Sequence, residues 1–183
     1  MKVLLSITGA SGSIYGVRLL EELKKADCKV HLIISEGSKK IIEHETTYKF
    51  KELKAKADFY YENNDLFAGP ASGSFLLDAM IICPCSMKTL SAVANGYCDT
   101  LTTRSALCVL KEENKLILVP RETPLALPSI ENMKQTKLAG ATILPAMPGF
   151  YHKPKKIEDL VDFVVGKILD QLNINHSLFK RWK

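Results

Sequence analysis

The feature that most constrains this chain is its first strand candidate. Lys2-Val-Leu-Leu-Ser-Ile-Thr8 is short, β-rich and almost without polarity on either face. A strand that is apolar on both faces needs cover on both, as in the middle of a parallel sheet between two helix layers. It leads directly into Thr8-Gly9-Ala10-Ser11-Gly12-Ser13-Ile14-Tyr15-Gly16, which opens a helical pattern. Where a helix begins, unpaired N–H groups and the positive end of its dipole attract an anion, and glycines let a phosphate approach the backbone. A plain tight turn accounts for the same glycines. Gly12 and Gly16, four apart, would also let the helix pack closely on the strand. The spacing is not the dinucleotide G-x-G-x-x-G.

The same alternation continues along the chain. Ile14 to Lys25 carries Val17, Leu19, Leu20 and Leu23 at helical spacing, and Lys29 to Ser35 reads as a strand. Ser38 to Glu45 reads as a short helix. Lys49 to Leu66 has no clear period beyond a possible strand at Phe59 to Glu62, and Ala68 to Ser74 is a Gly/Pro/Ser loop. Ala79 to Cys83 is a buried strand, followed by a helix from Met87 to Asn95 closed by Gly96. A helix at Leu101 to Glu112, a strand at Lys115 to Val119, helices at Pro128 to Leu138 and Ile157 to Leu172, and a last strand at Ala141 to Leu144 complete the pattern. These elements predict an α/β protein with a Rossmann-like (flavodoxin-like), doubly wound parallel sheet in three α/β/α layers. No repeat or linker divides it, so a single domain over 1–183 is expected.

Composition excludes several classes. With 183 residues, 46% hydrophobic and 25% charged, the chain can bury one full core. No apolar stretch is long enough to span a bilayer, and no small-residue cleavage site follows Lys2, so no membrane partner and a cytoplasmic location are expected. Five cysteines, mostly in apolar surroundings, suit reduced buried thiols. Cys83-Pro84-Cys85 has neither redox nor zinc spacing, so no metal site is expected. The net charge of +5 comes largely from Lys49 to Lys56, Lys153 to Lys156 and Lys180 to Lys183. Aromatics do not interleave with these runs, which argues against a nucleic-acid partner.

The chemically suggestive turns all fall at one end of the predicted sheet. Thr8 to Gly12 follows the first strand, Ser35 ends the second, and Pro84 to Thr89, Pro120 to Pro124 and Pro145 to Tyr151 follow later ones. Ser86 could simply cap its helix, yet Ser86-Met87-Lys88-Thr89 also offers backbone donors, two hydroxyls and a cation to a phosphate. Arg121-Glu122 could be an internal ion pair. Equally, Arg121 could clamp a phosphate bidentately and Glu122 could exchange a proton.

Gly9-Ala10-Ser11-Gly12, Pro70-Ala71-Ser72-Gly73-Ser74, Cys83-Pro84-Cys85-Ser86, Pro120-Arg121-Glu122-Thr123-Pro124-Leu125, Pro145 to Tyr151 and Asp159-Leu160-Val161-Asp162-Phe163 resemble the UbiX-type flavin prenyltransferases, in order over almost the whole chain. The resemblance implies transfer of a dimethylallyl group from dimethylallyl phosphate to N5 and C6 of reduced FMN. The product, prenyl-FMN, serves a UbiD-type decarboxylase. By matching motif, Gly9, Ala10, Ser11, Ser35, Ser86, Met87, Lys88, Thr89, Arg104 and Arg121 would hold FMN. Tyr151, Lys167, Lys111, Arg121 and Trp182 would bind dimethylallyl phosphate. Glu122, Lys111, Ser11 and Glu45 would carry the catalysis, with Glu122 handling the proton. The resemblance further implies a homo-oligomer, usually a dodecamer, with a tail of about 173–183 that reaches a neighbouring subunit.

Physical chemistry agrees with a metal-free transfer. A monophosphate carries only about two negative charges, so Lys and Arg can stabilise its departure, and there is no D-D-x-x-D magnesium box. Apolar or aromatic walls could shield an allylic cation and stabilise it through their faces. Three positions depart from the family: Lys167 stands where Arg is frequent, Leu66 where some members have Trp, and Leu107 where Asp is common. Two rivals remain. An FMN-dependent cysteine decarboxylase would need a histidine base, for which His44 is the near candidate. A non-catalytic flavin carrier would need the FMN turns without Glu122, Lys111 and Tyr151 together.

Overall fold

The structure is a computed structural model and describes residues 1–182. Six strands form one all-parallel sheet: β1 (Lys2–Ile7), β2 (Lys29–Ile34), β3 (Phe59–Glu62), β4 (Ala79–Cys85), β5 (Lys115–Pro120) and β6 (Thr142–Ile143). Their order is β3-β2-β1-β4-β5-β6. Of the two common doubly wound orders this is the Rossmann one, and the topological switch point lies between β1 and β4.

Alternation along β1 divides the core. Val3, Leu5 and Ile7 face one side, where they pack with α1 (Ser13–Lys25) and α7 (Ile157–Gln171). Leu4 faces the other with Met80, Ile82 and Leu118, under α4 (Met87–Ala94) and α5 (Leu101–Lys111). The remaining helices are α2 (Glu36–Glu45), α3 (Phe50–Lys56) and α6 (Leu127–Leu138). The expected three-layer parallel sheet is therefore present. α1 sits close on the sheet because of Gly16: a Cβ there would run into the Cys83 carbonyl oxygen and lie 3.0 Å from Ile7 Cδ1.

Several boundaries differ from the sequence reading, each for a local reason. Ser35 does not end β2; it caps α2, accepting from Ser38 N at 3.3 Å, so the helix starts at Glu36. α3 lies in the stretch without a readable period because it buries one side chain, Leu53, and is held at its start by the Glu52 carboxylate accepting from Lys49 N at 3.0 Å. β4 continues through Cys83-Pro84-Cys85. Burial pushes the Cys83 thiol up strongly and the Cys85 thiol to about 12, so both are unreactive free thiols. The last strand shrinks to Thr142–Ile143 at the sheet edge. No helix among the described residues is long and apolar enough to cross a membrane.

Candidate active site

The loops after β1 and β4 flank the switch point, and Thr8 ties them together. Its hydroxyl donates to the Pro84 carbonyl at 2.8 Å and accepts from Ser86 N at 2.9 Å. Beside this tie, three helix N-termini open onto one cavity of about 80 Å³, lined by Thr8, Ser35, Lys88, Thr89, Thr100 and Thr102 among others. Ser35, Ser86 and Thr100 cap α2, α4 and α5 through side-chain oxygens. The capping alternative for Ser86 thus holds, and it does not compete with a ligand: the cap satisfies Thr89 N while the dipole and the remaining first-turn donors still favour an anion. Lys88 lies 3.8 Å from the Asp99 carboxylate, which also lines the cavity, so it is the three helix termini, together with the size of the cavity, that suit a phosphate group.

Asn63, Thr100 and Thr102 were missed by sequence reasoning. Asn63 holds the start of α5, accepting at its carbonyl from Leu101 N (2.7 Å) and at Oδ1 from Thr102 N (3.2 Å) and Thr102 Oγ1 (2.7 Å). Thr100 and Thr103 carried a readable signal, a hydroxyl pair three apart at a helix start. Asn63 carried none, since its partners are 38 and 39 residues away in sequence.

The Gly9 to Ser13 turn proves different from the phosphate site expected there. Glu45 Oε2 accepts from Gly12 N (2.9 Å), Ser13 N (3.0 Å) and Ser13 Oγ (2.9 Å). The anion at the start of α1 is the protein's own carboxylate, because the N-cap position is Gly12 and supplies no side-chain acceptor. Burial opposes ionisation of Glu45, but hydrogen bonds from Ser11, Ser13 and Gly12 outweigh it and lower its pKa. Ser11 and Glu45 are therefore brought together, with Gly9 and Ser11 exposed on the crevice and Ala10 buried beneath.

Arg121 follows β5 and reaches the same turn, where its Nε donates to the Ser11 carbonyl at 2.9 Å. The internal ion-pair alternative fails: Glu122 is exposed and its Oε1 accepts from Thr123 N at 3.1 Å. After β6, Tyr151, His152, Lys153, Lys180, Arg181 and Trp182 line a cavity of about 410 Å³. Tyr151 meets Trp182 edge-on at 5.7 Å between ring centroids and Phe163 at 5.6 Å. Trp182 thus joins Tyr151 within one chain.

Other expected residues stand elsewhere. Lys167 does not line that cavity; its Nζ lies 3.4 Å from Asp170 Oδ2. Met87 packs into the core, leaving its backbone to the crevice. Arg104 Nε donates to the Ala71 carbonyl at 2.9 Å. Lys111 pairs with Glu112 at the end of α5, four residues before β5 begins, which places it at the amino edge of the sheet, away from its own chain's crevice. The expectation that Lys111 shares one crevice with Glu122 and Tyr151 is not met within a single chain.

A phosphate-sized cavity beside three helix N-termini at the switch point of a Rossmann sheet is what a nucleotide-binding α/β protein presents, and the Flavoprotein family model matches residues 1–169. The flavin prenyltransferase UbiX of Methanocaldococcus jannaschii is 52% identical over 182 residues, covering 100% of this chain and 98% of that protein. A crystal structure of AnUbiX (PadA1) in complex with FMN and dimethylallyl pyrophosphate superposes with a TM-score of 0.98 at 41% identity, over 100% of this chain and 97% of that one. The dodecameric FMN-dependent UbiX-like decarboxylase from Escherichia coli O157:H7 gives 0.98 at 43% identity, with both chains covered fully. The chain belongs to the flavin prenyltransferase family.

Proposed function

We propose that the protein joins the dimethylallyl group of dimethylallyl phosphate to N5 and C6 of reduced FMN, releasing inorganic phosphate and prenyl-FMN. The observation that carries this reading is the presence of two separate cavities, one beside three helix N-termini and one lined by cations and aromatic rings. One suits the FMN phosphate, at Ser35, Lys88, Thr89 and the capped helix termini. The other, cationic and aromatic, suits the dimethylallyl phosphate, with Lys153 and Lys180 for the phosphate and the Tyr151 and Trp182 rings for the prenyl chain. A flavin carrier needs only the first cavity.

Between the cavities, Gly9 to Ser11 and Arg121 form a wall for the flavin ring. Arg121 is oriented by Ser11, and Ser11 is tied to the ionised Glu45. Glu122, exposed beside this wall, takes the proton released as the flavin is alkylated or gives one to the departing phosphate. The prenylated flavin is then passed to a UbiD-type decarboxylase in the cytoplasm.

Lys111 serves the site of a neighbouring copy in a homo-oligomer, a dodecamer in this reading, while Arg104 stays beside the start of α5. The position of Lys111 at the far edge of its own subunit supports that assignment, as do exposed apolar side chains such as Phe67, Leu76 and Phe150. The test is anaerobic incubation of the protein with reduced FMN and dimethylallyl phosphate, followed by mass spectrometry. The expected product is the flavin plus C5H8; retained FMN without that adduct would favour the carrier.

A further inference from the structure

The segment after α7 turns back along that helix and is seated in a socket within it. A Cβ at Gly166 would fall 2.6 Å from both His176 Cε1 and Phe179 Cε1, so two rings occupy the space a larger residue would fill. One turn further, the Asp170 carboxylate accepts from Arg181 Nη2 at 2.6 Å and Nη1 at 3.2 Å, and lies 3.2 Å from His176 Nε2. The His176 side chain is 3% exposed. Phe179 packs 4.9 Å from Phe163, whose ring in turn meets Tyr151. A steric notch, a fork of charged hydrogen bonds and an aromatic contact therefore fix the segment at three points. What they fix is the position of Trp182 against Tyr151.

We propose that Gly166 and Asp170 are positioning residues for the reaction: their socket holds residues 176–182 on the chain, so that Trp182 closes on Tyr151 and completes the wall of the second cavity. This rests on the reading of that cavity as the dimethylallyl phosphate site. Glycine is a poor helix former, so alanine at 166 would favour α7 itself while expelling His176 and Phe179. Loss of the socket should thus weaken use of the prenyl donor and leave the FMN cavity as it is.

The experiment compares the full-length protein with Gly166→Ala, Asp170→Asn and Phe179→Ala, using Trp182, the single tryptophan, as reporter. In Gly166→Ala and Phe179→Ala the fluorescence anisotropy decay should gain a fast segmental component. The KM for dimethylallyl phosphate should rise about fivefold or more with kcat changed less than about twofold. FMN affinity should stay at the parental value, and Asp170→Asn should fall between parent and Gly166→Ala. Phe179→Ala keeps α7 unaltered and carries the test if Gly166→Ala does not fold. An unchanged anisotropy decay in Phe179→Ala, or a loosened Trp182 with an unchanged KM, would overturn the proposal. Absence of prenylated flavin from the unaltered protein overturns the functional reading itself, and appears before any variant is compared.

Discussion

Glu122 and Arg121 are neighbours in sequence with separate tasks. Arg121 is committed to the Ser11 carbonyl, and Glu122 is left exposed at the crevice. A carboxylate with no structural pairing to Arg121 is free to move a proton. Replacing Glu122 by Gln should keep FMN binding and lower turnover by about two to four orders of magnitude, read as the rate of adduct formation. Unchanged turnover would place the proton elsewhere. His31 illustrates the opposite use of a titratable group. It is 2% exposed, stacked on Phe59 at 4.6 Å, with Nδ1 2.9 Å from the Tyr61 hydroxyl. Burial, helped by Lys2 and Lys29, lowers its pKa to about 4. The native state holds His31 neutral while the unfolded chain takes up a proton below about pH 6.5, so stability falls as pH drops from there towards 4. The loss reaches about 3 kcal/mol. Urea unfolding at pH 7 and pH 5 should show about 2 kcal/mol of it, and His31→Phe should remove that part of the pH dependence.

At the scale of elements, function depends on how helix starts are satisfied. α1 begins at a glycine and borrows its cap from Glu45, whereas α2, α4 and α5 cap themselves and point their dipoles into one cavity. Ser86→Ala removes one cap, at a cost of about 1 kcal/mol. It should also weaken FMN binding about tenfold in a fluorescence titration, because the first turn of α4 loses its alignment. The approach of α1 to the sheet is equally exacting. Gly16→Ala must displace either the Cys83 backbone or Ile7, and should destabilise the protein by about 1–3 kcal/mol in thermal or urea unfolding.

At the scale of the whole molecule, the proposed site needs Lys111 from a second copy. Lys111 lies at the amino edge of its own sheet and the crevice at the carboxyl edge, so one chain cannot bring Lys111 to its own Glu122. Lys111→Ala and Glu122→Gln should each be inactive alone. After mixed reassembly, activity should return to about one quarter of the parental value, the fraction of sites that pair an intact Glu122 with an intact Lys111 from another copy. No recovery would show that Lys111 does not act across subunits.

The sequence by itself determined the class of the fold and the end of the sheet that carries the chemistry. Apolar runs such as Val3 to Ile7 report burial on both faces, and helical period reports one buried stripe; both are local properties of consecutive side chains. The motif turns at Gly9, Ser86, Arg121 and Tyr151 were legible for the same reason. Tertiary structure decided the rest, because the partners are distant in sequence. It took the Gly12 and Ser13 donors away from a phosphate and gave them to Glu45, brought Asn63 to Thr102, separated Lys111 from the crevice of its own chain, and folded Trp182 onto Tyr151. A hydrogen bond across 30 or 40 residues leaves no period in the chain. Which donors stay free for a ligand is settled only when the competing acceptors have found their places.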